Sequence, residues 1–282
     1  MMNAPRILVT GATGNVGSVV LSLLVAAGAS ALAAVRSEDT KVPSGAKVVR
    51  FDFHDPGTFS EFQGVERVFL MRPPEMSNAR RDLGPAIAAM KAAGVRQVVF
   101  LSLLGAEKNP VVPHHAVEQL LLKSGMDWVF LRPSFFMQNL STTHRDDIKD
   151  RHDVFVPAGK GRTSFIDIRD LAAVGAMALL EGHRNVAYPL TGDEALSYDE
   201  VAHELSLALN RTITYSDPSA LRFYRAWRER GEPRAFVVVM LAIYTTAKLG
   251  LAAKITDDTR RLLGRPAITF RQFAHDERRA WL

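Results

Sequence analysis

Three glycines at three-residue spacing form the pattern in this 282-residue chain that points most directly to chemistry. Gly11, Gly14 and Gly17 follow an apolar run at 7–9, and from Val16 the apolar residues recur with the period of a helix. A strand, a glycine turn and a helix start leave free backbone N–H groups and the positive end of a helix dipole facing one point. Such a joint favours a diphosphate, which the backbone can approach closely where no Cβ intervenes.

The end of the second predicted strand, 31–35, indicates which dinucleotide is bound. An acidic residue there would accept hydrogen bonds from ribose hydroxyls, whereas an arginine pairs with a 2′-phosphate. Arg36 comes directly after the strand and precedes the acidic candidates Glu38 and Asp39. We therefore expect NADPH rather than NADH, with a solvated arginine at a strand end as the other interpretation.

Two histidines stand at the start of a predicted helix over 113–124. His114 and His115 would titrate near neutral pH, so either is a candidate proton donor for a reduced substrate. A surface histidine at a helix start is an equally good interpretation of each.

A cluster of histidines and aspartates has the residue types of a metal site. It consists of His144, Asp146, Asp147, Asp150, His152 and Asp153. It contains no pair of histidines at helical spacing, which metal sites on helices use. We interpret it as a solvated charged turn and expect no metal.

The composition excludes several functional classes. The chain has no Cys, which rules out disulfides, thiolate nucleophiles and Cys-ligated zinc, and the cytoplasm is the expected compartment. The net charge of +5 would suit nucleic acid, but acidic residues interleave with the arginines of the C-terminal third. We interpret those arginines as a solvated face and expect no nucleic-acid partner.

No charged residue lies between Arg6 and Arg36, so this stretch could be mistaken for a signal peptide or a membrane span. Its four glycines and its strand-turn-helix pattern instead indicate elements buried in a sheet. We therefore expect no membrane partner.

Apolar runs that alternate with helical patterns organise the first half of the chain. Such alternation predicts right-handed crossovers and hence an α/β fold with a doubly wound (Rossmann) parallel sheet. The predicted strands are 7–9, 31–35, 47–51, 65–71, 97–102 and 128–131, and the predicted helices are 15–27, 78–93 and 113–124.

The domain organisation follows from where this alternation stops. We place the nucleotide-binding Rossmann domain at residues 1–155, with 162–192 returning to it through a strand at 163–167 and a helix. A smaller, mostly helical region at 193–282 is expected to cover the substrate. Its uncharged run 235–244 is too short to span a bilayer, so we interpret it as a buried helix or a lid over an apolar pocket.

Several stretches together resemble the NmrA-like branch of the atypical short-chain dehydrogenases/reductases. They are Val9-Thr10-Gly11-Ala12-Thr13-Gly14-Asn15-Val16-Gly17, Val98-Val99-Phe100-Leu101-Ser102-Leu103-Leu104-Gly105-Ala106, Leu131-Arg132-Pro133-Ser134-Phe135-Phe136-Met137-Gln138-Asn139-Leu140, and Thr191-Gly192 before a Ser-Tyr-Asp-Glu-Val-Ala helix. The resemblance covers nearly the whole chain. It implies the Rossmann fold and NADPH, in a branch that includes quinone, azo-dye and triphenylmethane-dye reductases and a redox-sensing transcriptional co-regulator.

The resemblance and the strand ends together give the expected cofactor contacts. These are Gly11, Thr13, Gly14, Asn15, Val16, Arg36, Asp52, Phe53, Met71, Arg72, Pro73, Ser102, Pro133 and Phe136. The aromatic and thioether patch after the sixth strand forms either core or a substrate wall, and its candidate substrate contacts are Phe135, Met137 and Asn139.

The chain departs from the wider superfamily at the Tyr-x-x-x-Lys pair that supplies the proton in ordinary members. With Glu118 and Gln119 as the anchor of that helix, the two positions fall on Pro110 and His114. We therefore expect flavin-free hydride transfer to a small apolar or aromatic acceptor, such as a quinone, an azo bond or an iminium dye. The other interpretation is a non-catalytic NADP(H) sensor, and either would be a monomer or a homodimer.

Overall fold

The computed structural model describes residues 5–37 and 39–282, and Glu38, an acidic candidate after the second strand, lies outside the described residues. The chain separates into two compact units. The first unit runs to Pro133 and takes in Ile168–Leu190, and the second comprises Ser134–Asp167 and Thr191–Leu282. Residues 134–155 therefore belong to the second unit.

A seven-stranded parallel sheet forms the centre of the first unit and confirms the predicted fold class. Its strands are β1 (Arg6–Val9), β2 (Ser30–Val35), β3 (Lys47–Arg50), β4 (Arg67–Met71), β5 (Gln97–Leu101), β6 (Asp127–Pro133) and β9 (Val186–Leu190). They lie in the order β3-β2-β1-β4-β5-β6-β9, and every neighbouring pair is parallel. The strand order reverses direction between β1 and β4, and ligands of open α/β sheets bind at the carboxyl ends of strands beside such a switch.

Helices cover both faces of this sheet, and they are α1 (Gly17–Ala26), α2 (Ala79–Ala92), α3 (Pro113–Ser124) and α5 (Ile168–Glu181). Along β4, Val68 and Leu70 join the hydrophobic cluster of α2 and α3. Phe69 points to the other face and lies beside Gly175 of α5. A Cβ on Gly175 would come within 3.2 Å of Phe69, so the glycine allows α5 to lie close to the sheet.

The second unit combines a three-stranded sheet with six helices in the part of the chain that the structure describes. Its elements are β7 (Phe135–Phe136), α4 (Arg145–Asp150), β8 (Arg162–Ile166), β10 (Ala195–Ser197), α6 (Tyr198–Leu209), α7 (Ala220–Glu229), α8 (Arg234–Lys248), α9 (Asp258–Leu263) and α10 (Phe270–Asp276). The strand expected at 163–167 forms as β8 but pairs with β7 and β10 rather than with the main sheet. Aromatic contacts hold it there, since the Phe165 ring lies 5.6 Å from Phe135 and 5.8 Å from Tyr198.

The α8 helix is apolar on two sides. One stripe lies in the core of the second unit and consists of Val237, Met240, Tyr244 and Ala247. The other stripe is exposed and equally uncharged, and consists of Ala235, Phe236, Val238, Val239, Ala242 and Ile243. The interpretation of 235–244 as a buried helix is therefore correct for the stripe that faces the core and wrong for the exposed stripe. Among the described residues, no helix has the length and apolar character needed to cross a membrane.

Candidate nucleotide site

The turn between β1 and α1 is shaped so that only glycine fits at its key positions. Gly11 has φ +61°, and a Cβ there would lie 2.6 Å from Met71 Cε. A Cβ on Gly17 would collide with the Gly11 carbonyl, so this glycine lets α1 start directly against the turn. Thr10 ties the turn to β4, because its hydroxyl donates to the Phe69 carbonyl (3.1 Å) and accepts from the Met71 N–H (2.8 Å).

The N-terminus of α1 is left open toward a ligand. Its N-cap residue, Val16, makes no side-chain cap hydrogen bond, and the first turn contains no acidic residue. The turn is closed behind it by the Gly14 N–H on the Gly11 carbonyl (2.9 Å) and the Ser18 N–H on the Gly14 carbonyl (3.0 Å). An uncapped helix start with the positive end of its dipole can bind an anion, and Gly14 has no Cβ at this turn.

The predicted adenosine contacts lie at the carboxyl ends of β2 and β3, which are neighbours in the sheet. Arg36 is exposed directly after β2. After β3, the Asp52 Oδ1 accepts from the His54 N–H (2.9 Å), and the Phe53 ring packs edge-on against Phe51 at 4.9 Å. The structure thus brings a cation, a carboxylate and an aromatic ring to two adjacent strand ends.

Arg72 organises the loop after β4. Its Nη1 donates to the carbonyls of Pro73 (2.7 Å), Pro74 (3.0 Å) and Met76 (2.9 Å), which folds the loop around the guanidinium. Burial lowers the pKa of Arg72. Its Nε is buried and has no hydrogen-bond partner among the described residues.

His114 lies on the second residue of α3, with its ring 6.1 Å from that of Phe100 in β5. Burial, together with the positive charge of Arg72, lowers the pKa of His114 to about 4. The imidazole is therefore neutral at pH 7, and its buried Nδ1 has no hydrogen-bond partner in the described residues. A neutral imidazole is a poor proton donor but a good hydrogen-bond acceptor. The neighbouring His115 differs, since its Nδ1 lies 2.9 Å from the Ala106 carbonyl.

A buried charge pair sits beside the predicted nicotinamide end, and the sequence analysis did not identify it. Glu118 is 1% exposed and accepts two hydrogen bonds from Arg132, at 3.0 and 2.7 Å. The Ser102 hydroxyl donates to the same carboxylate at 2.6 Å rather than standing free at the strand tip. The signal that would have found the pair is a glutamate on the buried side of a predicted helix, because buried carboxylates need a partner.

The remaining predicted contacts divide between the units. Pro133 ends β6 in the first unit, whereas the patch after it belongs to the second. There Phe135 lies 6.0 Å from Tyr244, and Phe136 is half-buried at the end of β7. Met137 is 1% exposed within the hydrophobic core of its unit, and Asn139 ends a single turn of 3₁₀ helix.

The histidine and aspartate cluster of the second unit is only in part the solvated turn expected, since Asp146, Asp150 and His152 are exposed but His144 and Asp147 are buried. His144 is fully buried, and its Nε2 lies 2.5 Å from the Tyr244 hydroxyl. Asp147 is 1% exposed and pairs with Arg230 at 2.6 Å and with Arg151 at 3.2 Å. In the part of the chain that the structure describes, no group of three histidine or acidic side chains is arranged to hold a metal ion.

Comparisons with known proteins agree with this geometry. The sequence profile of the NmrA-like family matches residues 3–224. An NAD(P)H azoreductase from Xenophilus azovorans is 36% identical over 279 residues, which is 95% of this chain and 96% of the azoreductase. The structure of an NADPH-dependent quinone oxidoreductase from Escherichia coli, complexed with NADPH, superposes with a TM-score of 0.85 at 26% identity over 96% of this chain and 99% of that one. The NmrA negative transcriptional regulator, solved with NADP, shares the fold with a TM-score of 0.75 at 17% identity over 99% of each chain.

Proposed function

The chain belongs to the NmrA-like family, and on that premise we propose that it is an NADPH-dependent reductase of quinone, azo or iminium-type acceptors. The observation that carries the proposal is the glycine turn at the uncapped N-terminus of α1. The Met71 side chain packs against this turn. The activities named for the azoreductase relative and the quinone oxidoreductase support the acceptor class.

The residues present fit a dinucleotide, with NADPH as the proposed donor of the hydride and neither flavin nor metal required. The amides of the turn, including those of Thr13, Asn15 and Val16, would hold the diphosphate. Arg36 would pair with the 2′-phosphate, and Asp52 and Phe53 would contact the adenine.

The order of the strands sets the direction of the ligand. Arg36 follows β2, the glycine turn follows β1, and Arg72 follows β4, so the three lie along one edge of the sheet. Neighbouring strands are about 4.8 Å apart. A dinucleotide with its diphosphate over β1 would therefore extend its nicotinamide toward the ends of β4 and β5, near Met71, Pro73, Ser102 and Pro133.

Arg72 and His114 would hold the nicotinamide through its carboxamide. The unpartnered Arg72 Nε–H is a donor, and the unpartnered Nδ1 of neutral His114 is an acceptor when the ring proton is on Nε2. A carboxamide offers the complement, a carbonyl oxygen and an N–H₂ group. This assignment replaces the earlier role of His114 as a proton donor, because its pKa of about 4 leaves no acidic proton at pH 7.

Positioning then supplies most of the catalysis. Phe135 and Asn139 stay predicted acceptor contacts and Phe136 a predicted cofactor contact, whereas Met137 is buried in the core of its unit. His115 is the remaining candidate for local proton transfer. Quinones and azo compounds accept a hydride and take their proton from water, so such a site needs no strong general acid.

A redox sensor is the second candidate, and the low pKa of His114, which leaves its imidazole neutral at pH 7, favours it. NADPH oxidation with a panel of quinones, azo dyes and iminium dyes, measured beside calorimetric NADP⁺ and NADPH binding, separates the two. Turnover with any acceptor class supports the reductase. Binding that distinguishes the redox states, without turnover, supports the sensor, and no binding of either nucleotide overturns both.

A further inference from the structure

The excess positive charge of the chain is concentrated in one segment. Residues 220–255 contain seven basic residues and two acidic ones, so their net charge of +5 equals that of the whole chain. The acidic residues are Glu229 and Glu232, and the basic ones are Arg222, Arg225, Arg228, Arg230, Arg234, Lys248 and Lys254. The rest of the chain contains equal numbers of basic and acidic residues, so the high pI comes from this segment.

The same segment carries most of the exposed apolar side chains. Thirteen large hydrophobic residues are exposed in the described chain, and eight of them lie in this segment. They are Leu221, Phe236, Val238, Val239, Ile243, Leu249, Leu251 and Ile255. Isolated exposed hydrophobic residues are ordinary, but a concentration of them indicates a contact surface.

These side chains belong to contiguous elements of the second unit. The α7 and α8 helices are joined by ring contact between Trp227 and Phe236 at 5.8 Å. After α8, the chain turns at Gly250 (φ +75°), and the Leu251 N–H donates to the Thr246 carbonyl at 2.9 Å. This cap holds Leu249 and Leu251 at the end of the helix, so the apolar surface continues from α8 into the loop.

Most of the arginines and lysines of the segment are available to a partner. Arg230 is not, because it pairs with the buried Asp147. In residues 5–37 and 39–282, no ion pair involves the side chains of Arg222, Arg225, Arg234, Lys248 or Lys254. The surface therefore combines uncharged aliphatic side chains with unneutralised cations.

We propose that residues 220–255 form a peripheral surface that binds an anionic lipid bilayer, with α8 lying in the interface. A helix of 15 residues is about 22 Å long and cannot span, but one apolar side suffices to lie on a membrane. Long basic side chains reach the headgroups while aliphatic ones enter the acyl boundary. The expectation of no membrane partner rested only on the lack of a spanning segment, which surface binding does not need.

Other occupants fit the surface less well. A second copy in a two-fold contact would bring two segments of charge +5 together, which costs free energy. Protein hot spots are enriched in Trp, Tyr and Arg, and although this surface has arginines, its exposed apolar set is aliphatic apart from Phe236. Nucleic acid would satisfy the cations but leave the aliphatic side chains against phosphate.

Vesicle co-sedimentation of the full chain tests this inference. We expect binding to phosphatidylcholine vesicles that contain phosphatidylglycerol, no binding to pure phosphatidylcholine, and weakening by salt. Val239→Asp and Leu251→Asp should each reduce partitioning at least about tenfold, and Arg225→Ala about fivefold. Leu207→Asp, at a residue 58% exposed on α6, is the matched control and should bind as the wild type does.

Several results would overturn the proposal. They are no sedimentation with anionic vesicles, equal sedimentation of Val239→Asp and wild type, a wild-type dimer in light scattering that Val239→Asp dissociates, and binding to DNA that exceeds binding to vesicles. Calorimetric NADPH binding reports separately on the proposed reductase function, because no residue of this surface is assigned to the nucleotide site.

Discussion

The methyl group of Met71 occupies the space that a side chain on Gly11 would need, 2.6 Å from the position of its Cβ. The end of β4 thus shapes the turn after β1 from below. The nucleotide loop is therefore defined by two strands rather than by its glycines alone.

Gly11→Ala should lower both stability and nucleotide affinity. The positive φ costs a non-glycine residue about 1 kcal/mol, and overlap with Met71 adds a smaller amount because it involves the flexible end of that side chain. Gly28→Ala is the matched control, because Gly28 has φ +74° and no atom within 4 Å of its Cβ position. A melting temperature that drops equally in both variants would contradict a role for Met71, whereas partial rescue by Met71→Ala would support it.

Arg36→Ala should weaken NADPH binding about 10- to 100-fold and NADH binding by far less, since a charged hydrogen bond to the 2′-phosphate is worth about 1.5–3 kcal/mol. Calorimetry with both nucleotides measures this. Arg50→Ala, which removes a nearby exposed arginine paired with Asp55 at 3.0 Å, serves as the control. Equal losses for NADPH and NADH would remove the assignment of Arg36.

Arg72→Ala and His114→Ala should each weaken NADPH binding about tenfold through loss of one hydrogen bond to the carboxamide. Neither should weaken binding of 2′-phospho-ADP-ribose, which lacks the nicotinamide. Arg80→Ala and His203→Ala, at exposed positions, control for general loss of charge or imidazole. If both ligands weaken together, the two residues act on the loop and not on the nicotinamide, and if wild type binds neither ligand, the reductase proposal itself fails.

Glu118→Gln should destabilise the first unit by about 3 kcal/mol, because it leaves Arg132 partly buried without its main counter-charge. Glu107→Gln removes the other carboxylate on Arg132, which lies at 3.3 Å with its side chain 38% exposed, and should cost under about 1 kcal/mol. Urea unfolding at neutral pH compares the two. Similar free energies of unfolding for both variants would show that burial of Glu118 does not decide the strength of the pair.

Acid should destabilise the second unit through His144. Burial, with Arg230 nearby, lowers the pKa of His144 from 6.5 to about 3. Between these values the unfolded chain binds a proton that the folded one does not, so the stability is complete above pH 6.5 and falls by about 1.4 kcal/mol per pH unit below it.

The His144→Gln variant should lose this part of the pH dependence of the free energy of unfolding. Its amide oxygen can still accept a hydrogen bond from the Tyr244 hydroxyl. His275→Gln, at an imidazole 66% exposed, should leave the dependence unchanged. Urea unfolding at a series of pH values measures it. A slope that stays the same in His144→Gln would mean that His144 does not titrate between the two states.

Much of the first unit was predictable because its signals are local. The period of apolar residues and the glycine spacing predicted α2, α3 and the parallel sheet within a few residues, and Gly94 and Gly125 follow the ends of the two helices. Ser197 and Glu200 have the spacing of a capping box, and the structure contains that box at the start of α6. Each of these depends on residues a few positions apart, where steric and hydrogen-bonding rules are stringent.

The sequence by itself determined the parallel sheet, the glycine turn and the cation after β2, since these follow from short-range pattern. Only the tertiary structure decided that β8 joins a separate sheet, that His144 and Asp147 are buried, that Ser102 is bonded to Glu118, and that one side of α8 is exposed. The physical reason is that burial and pairing depend on partners far apart in the chain. Tyr244 lies one hundred residues from His144. The periodicity of apolar residues in one helix does not show which of its two apolar faces packs against a core.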